Sequence, residues 1–284
     1  MQQTLVLREL VQGYKVLHKE RIPKYAKAIL YDVFTYSCMN CLRSWGFLEK
    51  LHEAYRNYGL ELVIIHPFEW NFERDERNVK RALKELNIHV PVILDPQRKL
   101  IKKLNVNFWP SQILVKDGEV VYRHIGEGGY KQLELVIRKN IGNFQYGEKS
   151  IFPSEPKYSK IPAVYCGKRK NKKVFCNDGL PKEFGVLHAS GACRQADECL
   201  ISRGPDSCIF LKTKGNKVNV VAQTIGKKNS LLLARWNKGC RQRKVLLRVS
   251  NPKLYHLLNA PAKNGTLALS AIRGKAAIYS FAFE

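Results

Sequence analysis

No stretch of this 284-residue chain approaches 18 consecutive apolar residues, so no segment reads as a membrane-spanning helix. Residues 1–9 carry a short apolar patch but no basic region leading into a longer apolar one. They do not read as a signal peptide, and the expectation is a cytoplasmic protein. Methionine is scarce, at two residues, which together with the many lysines and arginines is a weak thermophile signature. There is no second Cys-x-x-Cys and no His-x-x-x-His, which argues against a zinc site built on the one Cys-x-x-Cys present. Acidic residues are few: 24 against 49 Lys and Arg, a net charge of +25.

The imbalance is uneven. Residues 1–150 have a net charge of +7 and residues 151–284 a net charge of +18. A field of that strength attracts polyanions or acidic proteins, or serves only as diffuse solubilising charge. Cysteine is equally lopsided. Two lie in the first half (Cys38, Cys41) and six in the second (Cys166, Cys176, Cys193, Cys199, Cys208, Cys240). Disulfide staples are the first expectation for these six, with a small Cys193–Cys199 loop and a Cys208–Cys240 link between strands as candidates. A metal site and buried reduced thiols are the alternatives.

The first half alternates strand and helix patterns. A helix and loop are expected over 4–26, a strand over 28–34, and a helix ending near Gly59. Then come a strand at 60–65, an amphipathic helix at 74–86, a strand at 90–94 and a short helix at 97–104. Runs at 111–115 and 119–123 flank Lys116-Asp117-Gly118, a hairpin signal, and a last helix covers about 130–140. This order predicts a central mixed sheet with helices on both faces. Cys38 and Cys41 fall where the buried strand hands over to a helix. The unpaired N–H groups at a helix start favour thiolate over thiol. Cys38 is therefore the expected attacking sulfur and Cys41 the resolving one. A structural disulfide, a partial zinc site and a silent redox motif are the competing readings.

The element order, with Cys-x-x-Cys after an early strand, resembles thioredoxin-like folds. That resemblance implies a cis proline at Trp109-Pro110 facing the cysteines, its backbone aligning an extended substrate. An ordinary trans proline opening an edge strand is the alternative. Glu69 is the candidate acid/base residue for the resolving thiol. His66 and His124 are weaker candidates. Trp109, Trp70 and Phe72 are candidates for an apolar rim around a protein or peptide substrate, with core or edge packing as the equal alternative.

Thr35-Tyr36-Ser37-Cys38-Met39-Asn40-Cys41-Leu42-Arg43 resembles the signature of TlpA-like thioredoxins of the DipZ type. Residues 66–73, Asn78-Val79, 107–110 and 122–128 agree in order. The resemblance implies a thioredoxin-like thiol–disulfide oxidoreductase acting on protein thiols or disulfides without metal or organic cofactor, recycled by a separate redox partner. It brings Ser37 into the substrate-contacting set with Trp109 and Trp70, and Cys38, Cys41, Pro110 and Glu69 into the catalytic one. Two positions depart from the pattern. Gly46 stands where the family carries a helix-kinking proline, and Pro67 is displaced relative to Glu69.

Residues 144–162 are turn-rich and read as a linker between a redox domain at 1–143 and a second domain at 163–284. The latter shows short β-type runs at 207–213, 217–222, 230–236, 244–249, 266–272 and 276–283, separated by turns, and no amphipathic run of helix length. An antiparallel β-sandwich is expected. Pro252 to Leu258, Ala277 to Phe283 and Tyr165-x-Gly167 resemble the carbohydrate-binding-like jelly roll attached to DipZ-type proteins. The stretch Phe184 to Cys193 lacks that domain's tryptophans. The alternative function is a non-catalytic thioredoxin scaffold whose basic second domain holds nucleic acid or another polyanion.

Overall fold

A computed structural model describes residues 13–18, 25–142, 150–152, 159, 161–176, 179–260 and 264–284. The chain divides into two compact units, residues 1–158 and 159–284.

The first unit is built on a six-stranded sheet. Its strands are β1 (Lys15–Leu17), β2 (Ala28–Val33), β3 (Leu60–His66), β4 (Val92–Leu94), β5 (Ser111–Lys116) and β6 (Glu119–Ile125), in the spatial order β1-β4-β3-β2-β5-β6. β2, β3 and β4 run parallel, while β5 and β6 form the antiparallel hairpin expected from Asp117-Gly118. The helices are α1 (Met39–Tyr55), α2 (Glu76–Glu85), α3 (Lys99–Lys103) and α4 (Tyr130–Ile141). Strand side chains alternate between faces. Tyr31, Val33, Val63 and Ile65 thus share a core with Leu100 and Ile101 of α3. Leu30, Asp32, Leu62 and Ile64 turn to the opposite side, where α1 packs on β3 and α4 on β2. The Tyr130 hydroxyl donates to Ser44 Oγ at 2.8 Å and locks these two helices together.

One expectation fails at the start of the chain. Lys15–Leu17 is an edge strand paired antiparallel with β4, not part of a helix. Edge pairing supplies backbone partners that the weak local helix pattern could not outweigh. The rest of the expected 4–26 segment falls mainly outside the described residues. So does most of the expected linker, though Ser150–Phe152 pack on the first unit. The Glu134 carboxylate of α4 accepts from the Ile151 N–H at 2.9 Å and the Phe152 N–H at 3.2 Å, and the Phe152 ring lies 5.8 Å from that of Phe47.

α1 runs unbroken through Gly46. Gly46 is exposed, and a Cβ added there would meet nothing within 4 Å. Gly46→Ala is therefore expected to stabilise the first unit by about 0.5–1 kcal/mol through reduced unfolded-state entropy, read as a higher denaturant midpoint.

The second unit contains two six-stranded sheets. One follows β10 (Cys193–Gln195), β11 (Leu200–Arg203), β18 (Lys275–Phe283), β13 (Lys217–Thr224) and β16 (Lys253–Asn259), with β7 (Val164–Tyr165) also on β18. The other follows β15 (Arg241–Val249), β14 (Ser230–Lys238), β17 (Gly265–Arg273), β12 (Cys208–Thr213), β9 (Leu187–Ser190) and β8 (Val174–Phe175). Val220, Ile278 and Phe281 of the first sheet join Leu211, Trp236 and Leu269 of the second in one apolar core.

All eight cysteines are free thiols, so the expected disulfide staples are not formed. Register explains one of them. β17 lies between β12 and β14, and Cys240 sits beyond Lys238 in the exposed turn of the β14–β15 hairpin, far along the sheet from Cys208. No helix among the described residues is long and apolar enough to cross a membrane.

Candidate active site

Cys38 is the N-cap of α1. Its half-buried sulfur accepts from the Cys41 N–H at 3.4 Å, a geometry the Cys-x-x-Cys spacing imposes once the helix starts at residue 39. Cys41, one turn in, is fully buried, and burial pushes its thiol well above the ordinary cysteine range, reinforced by Cys38. The Trp109–Pro110 bond is cis. The Trp109 carbonyl lies 4.0 Å from the Cys38 sulfur. The Pro110 carbonyl accepts from the Gly126 N–H at 2.8 Å, which ties this loop to the end of the hairpin. Arg43 in the first turn of α1 forms a bidentate pair with Glu127 at 2.8–3.1 Å and also donates to Asn40 at 2.7 Å.

Three buried carboxylates connect to this site: Glu69 through Trp109, Glu73 through Ser37, and Asp32 through its charge on Cys41. Glu69 accepts from the Trp109 indole N–H at 3.4 Å, placing the expected acid beside the proline loop. Glu73, which sequence reasoning did not select, accepts from the Ser37 hydroxyl at 2.7 Å and from the N–H groups of Glu69 at 2.5 Å and Trp70 at 3.2 Å. Burial, with the neighbouring Glu69 charge, lifts its carboxyl to about 7. Asp32 on β2 was also missed. Burial lifts it to about 7 against a 3.0 Å hydrogen bond from Gln112 Nε2, while its other oxygen has no partner among the described residues. Its charge contributes to raising Cys41. An acid interrupting an apolar strand six residues before Cys38 was the available signal.

The substrate rim differs from expectation. Trp109 is half-buried and Phe108 is 70% exposed, but Trp70 is only 1% exposed and Phe72 is also buried. The short 3₁₀ turn at Asn71–Arg74 rolls both rings inward. Ser37 is buried too, with its hydroxyl committed to Glu73 instead of open space. His66 stacks on Tyr36 at 5.7 Å between ring centroids, and burial lowers it to about 4. It is a neutral packing group at neutral pH. His124 packs against the Gly129 backbone. No cluster among the described residues has the makings of a metal site.

A parallel β2-β3-β4 core, a terminal antiparallel hairpin, a Cys-x-x-Cys at a helix start and a cis proline facing it define the first unit as a thioredoxin-like domain. Residues 23–135 match the Redoxin family. The chain is 30% identical over 150 residues to protein DipZ of Mycobacterium bovis, covering 50% of this chain and 21% of that protein. It is 29% identical over 103 residues to thiol-disulfide oxidoreductase ResA of Bacillus cereus, covering 36% of this chain and 57% of ResA. StoA from Bacillus subtilis, a solved structure, is 20% identical with a TM-score of 0.36, covering 43% of this chain and 96% of StoA. The chain thus spans about a fifth of the length of the DipZ protein it matches.

Proposed function

We propose that the first unit exchanges thiols and disulfides with protein substrates through Cys38 and Cys41. The observation that carries this reading is the half-buried Cys38 sulfur at the start of α1, 4.0 Å from the Trp109 carbonyl, with the buried Cys41 one turn behind it. In the reducing direction the Cys38 thiolate attacks one sulfur of a substrate disulfide. The substrate S–S bond breaks, a mixed disulfide forms, and one substrate thiolate leaves. Cys41 then gives up its proton and attacks the Cys38 sulfur. The second substrate thiolate leaves, and Cys38–Cys41 becomes the disulfide, two electrons having passed to the substrate. The oxidising direction is the same path reversed.

A thiol held high by burial needs a base. Asp32 takes that role, since its carboxyl near 7 accepts a proton at neutral pH and its charge bears directly on Cys41. Glu73 is a second buried carboxyl lifted to about 7, and Glu69 beside it accepts from the Trp109 indole. The cis Trp109–Pro110 segment aligns an extended substrate, with Trp109 and Phe108 as the apolar rim. No organic cofactor or metal enters this cycle; a separate redox partner resets the dithiol. We read the second unit as an antiparallel sandwich of jelly-roll type and the compartment as the cytoplasm.

The test is reduction of a protein disulfide such as insulin by the full chain with a thiol reductant, alongside a redox titration of the Cys38–Cys41 pair. Cys38→Ser is expected to lower turnover by about a thousandfold or more, because it removes the only attacking sulfur. A wild-type chain that neither reduces nor oxidises disulfides, or a Cys38→Ser variant as active as wild type, would sink the reading.

A further inference from the structure

The sheet formed by β15, β14, β17, β12, β9 and β8 has one face in the core and one outside it. Ala234, Trp236, Leu267, Leu269, Ile209 and Leu211 belong to the core, and Val245 and Leu247 pack against it. Side chains alternate along a strand, so Arg235, Ala268, Phe210, Lys244 and Leu246 turn the other way. Register sets these in rows. Lys244 pairs with Arg235, Arg235 with Ala268, Ala268 with Phe210, Phe210 with His188, and His188 with Phe175. One row therefore crosses all six strands, basic at the β15 end and aromatic at the β8 end. Arg235 and Lys244 are exposed, and so are Leu246 and Phe175, at 59% and 49%.

The charge of this sheet has one sign, since none of its six strands contains Asp or Glu. Glu284 and Glu198 pair with Lys217 and Arg169, which lie outside these strands. Cations on an edge strand have an ordinary use, because they keep it from pairing with another chain. That accounts for β15, which is the edge. It does not account for Arg235, on β14 between β15 and β17, or for Lys212 on β12. Arg235 and Lys244 are direct cross-strand partners, where like charges destabilise the pair. The influence of Arg235 also reaches β12: burial raises the Cys208 thiol, and Ser270 and the Arg235 charge act against it. An anion laid over such a face relieves the repulsion. The aromatic end of the row is an independent observation. Phe210, His188 and Phe175 come from three strands, and the Phe175 and His188 ring centroids are 5.6 Å apart.

We propose that this face binds a single-stranded nucleic acid. Phosphates lie along Lys244, Arg235 and Lys212, and unpaired bases rest on Phe210, His188 and Phe175. Six strands at about 4.8 Å per step give a platform about 24 Å wide, which accommodates several nucleotides. A duplex is the less favoured occupant, because its bases are already stacked and offer these rings no free face. An acidic protein would use the cations and leave the aromatic row without a role.

Fluorescence anisotropy of the full chain with a labelled oligothymidylate of about twelve nucleotides, at low and at about 150 mM salt, tests this. Binding should be saturable and should weaken with salt. Arg235→Gln/Lys244→Gln should lose about tenfold or more in affinity. Its log–log salt slope should fall by about 1.4, the value for two single-strand phosphate contacts. Phe175→Leu should lose about fivefold or more and leave the slope unchanged, because it removes stacking and no charge. The variant Arg235→Lys/Lys244→Arg should retain most of the affinity. Arg194→Gln/Arg203→Gln removes equal charge from the other sheet and should stay within about twofold. A duplex of the same length, polyglutamate and phosphatidylglycerol vesicles probe the other occupants. Four results overturn the proposal: equal losses in the Arg235/Lys244 and Arg194/Arg203 variants, wild-type affinity in Phe175→Leu, any of the other three probes bound as tightly as oligothymidylate, or no saturable binding by wild-type protein. Circular dichroism on each variant, together with the charge-conserving double, separates loss of the site from loss of the fold.

Discussion

A Cys41→Ser variant is expected to stop halfway through the exchange, covalently joined to its substrate. Cys38 is half-buried with its sulfur facing the Trp109 carbonyl, so the first attack remains possible. The second does not, because the other thiol of the first unit, Cys41 one helical turn away, is gone. An intramolecular thiol acts at an effective concentration many orders of magnitude above the millimolar thiol of an assay. Resolution in the variant therefore depends on external thiol alone, and turnover should fall by about a thousandfold or more. Intact-mass spectrometry after incubation with an oxidised substrate should show an adduct of protein plus substrate, absent from the Cys38→Ser protein. Wild-type turnover with no adduct would mean that Cys41 is not the resolving group.

Asp32→Asn is expected to stabilise the protein above pH 7 and to slow the same reaction. The carboxyl rises from about 3.8 unfolded to about 7 folded, through burial. A carboxyl raised on folding binds more protons in the native state, so its contribution to stability is complete below about pH 4 and is lost as pH climbs to about 7. Three pKa units correspond to about 4 kcal/mol at most, and relaxation around a buried charge reduces this, so a gain of about 2–4 kcal/mol at pH 8 is expected. Near pH 4 the two proteins should differ little. Asparagine keeps the acceptor that Gln112 Nε2 uses, which isolates the charge as the variable. Denaturant melts at pH 4 and pH 8 measure the effect. The same substitution should lower exchange turnover by about tenfold to a hundredfold and erase an inflection near pH 7 from its pH profile. Equal stability at both pH values would show that Asp32 does not carry a strained charge. An unchanged pH profile would leave the proton step to Glu69 and Glu73.

Much of the first unit was legible because its signals are local. The apolar run before Cys38, the Asp117-Gly118 turn and the spacing of Val79, Ala82 and Leu83 each report a strand, a hairpin or a helix face within a few residues. Lys15–Leu17 was not legible, since an edge strand is decided by what lies beside it. The site divides in the same way. Cys38, Cys41 and Trp109-Pro110 declare themselves by spacing and position, whereas Glu73 gains its importance only from burial and from Ser37, 36 residues away. Trp70 misleads for the complementary reason: an aromatic in a loop looks available until packing turns it inward.

Sequence by itself determined the period of each element, the Cys-x-x-Cys at a helix start and the excess positive charge of residues 151–284. These are properties of neighbours along the chain or of composition. Tertiary structure alone decided which carboxylates are starved of water and therefore hold a proton near neutral pH, and it separated Cys208 from Cys240 by an intervening strand. Burial, strand order and electrostatic proximity are three-dimensional quantities, set by contacts between residues tens of positions apart.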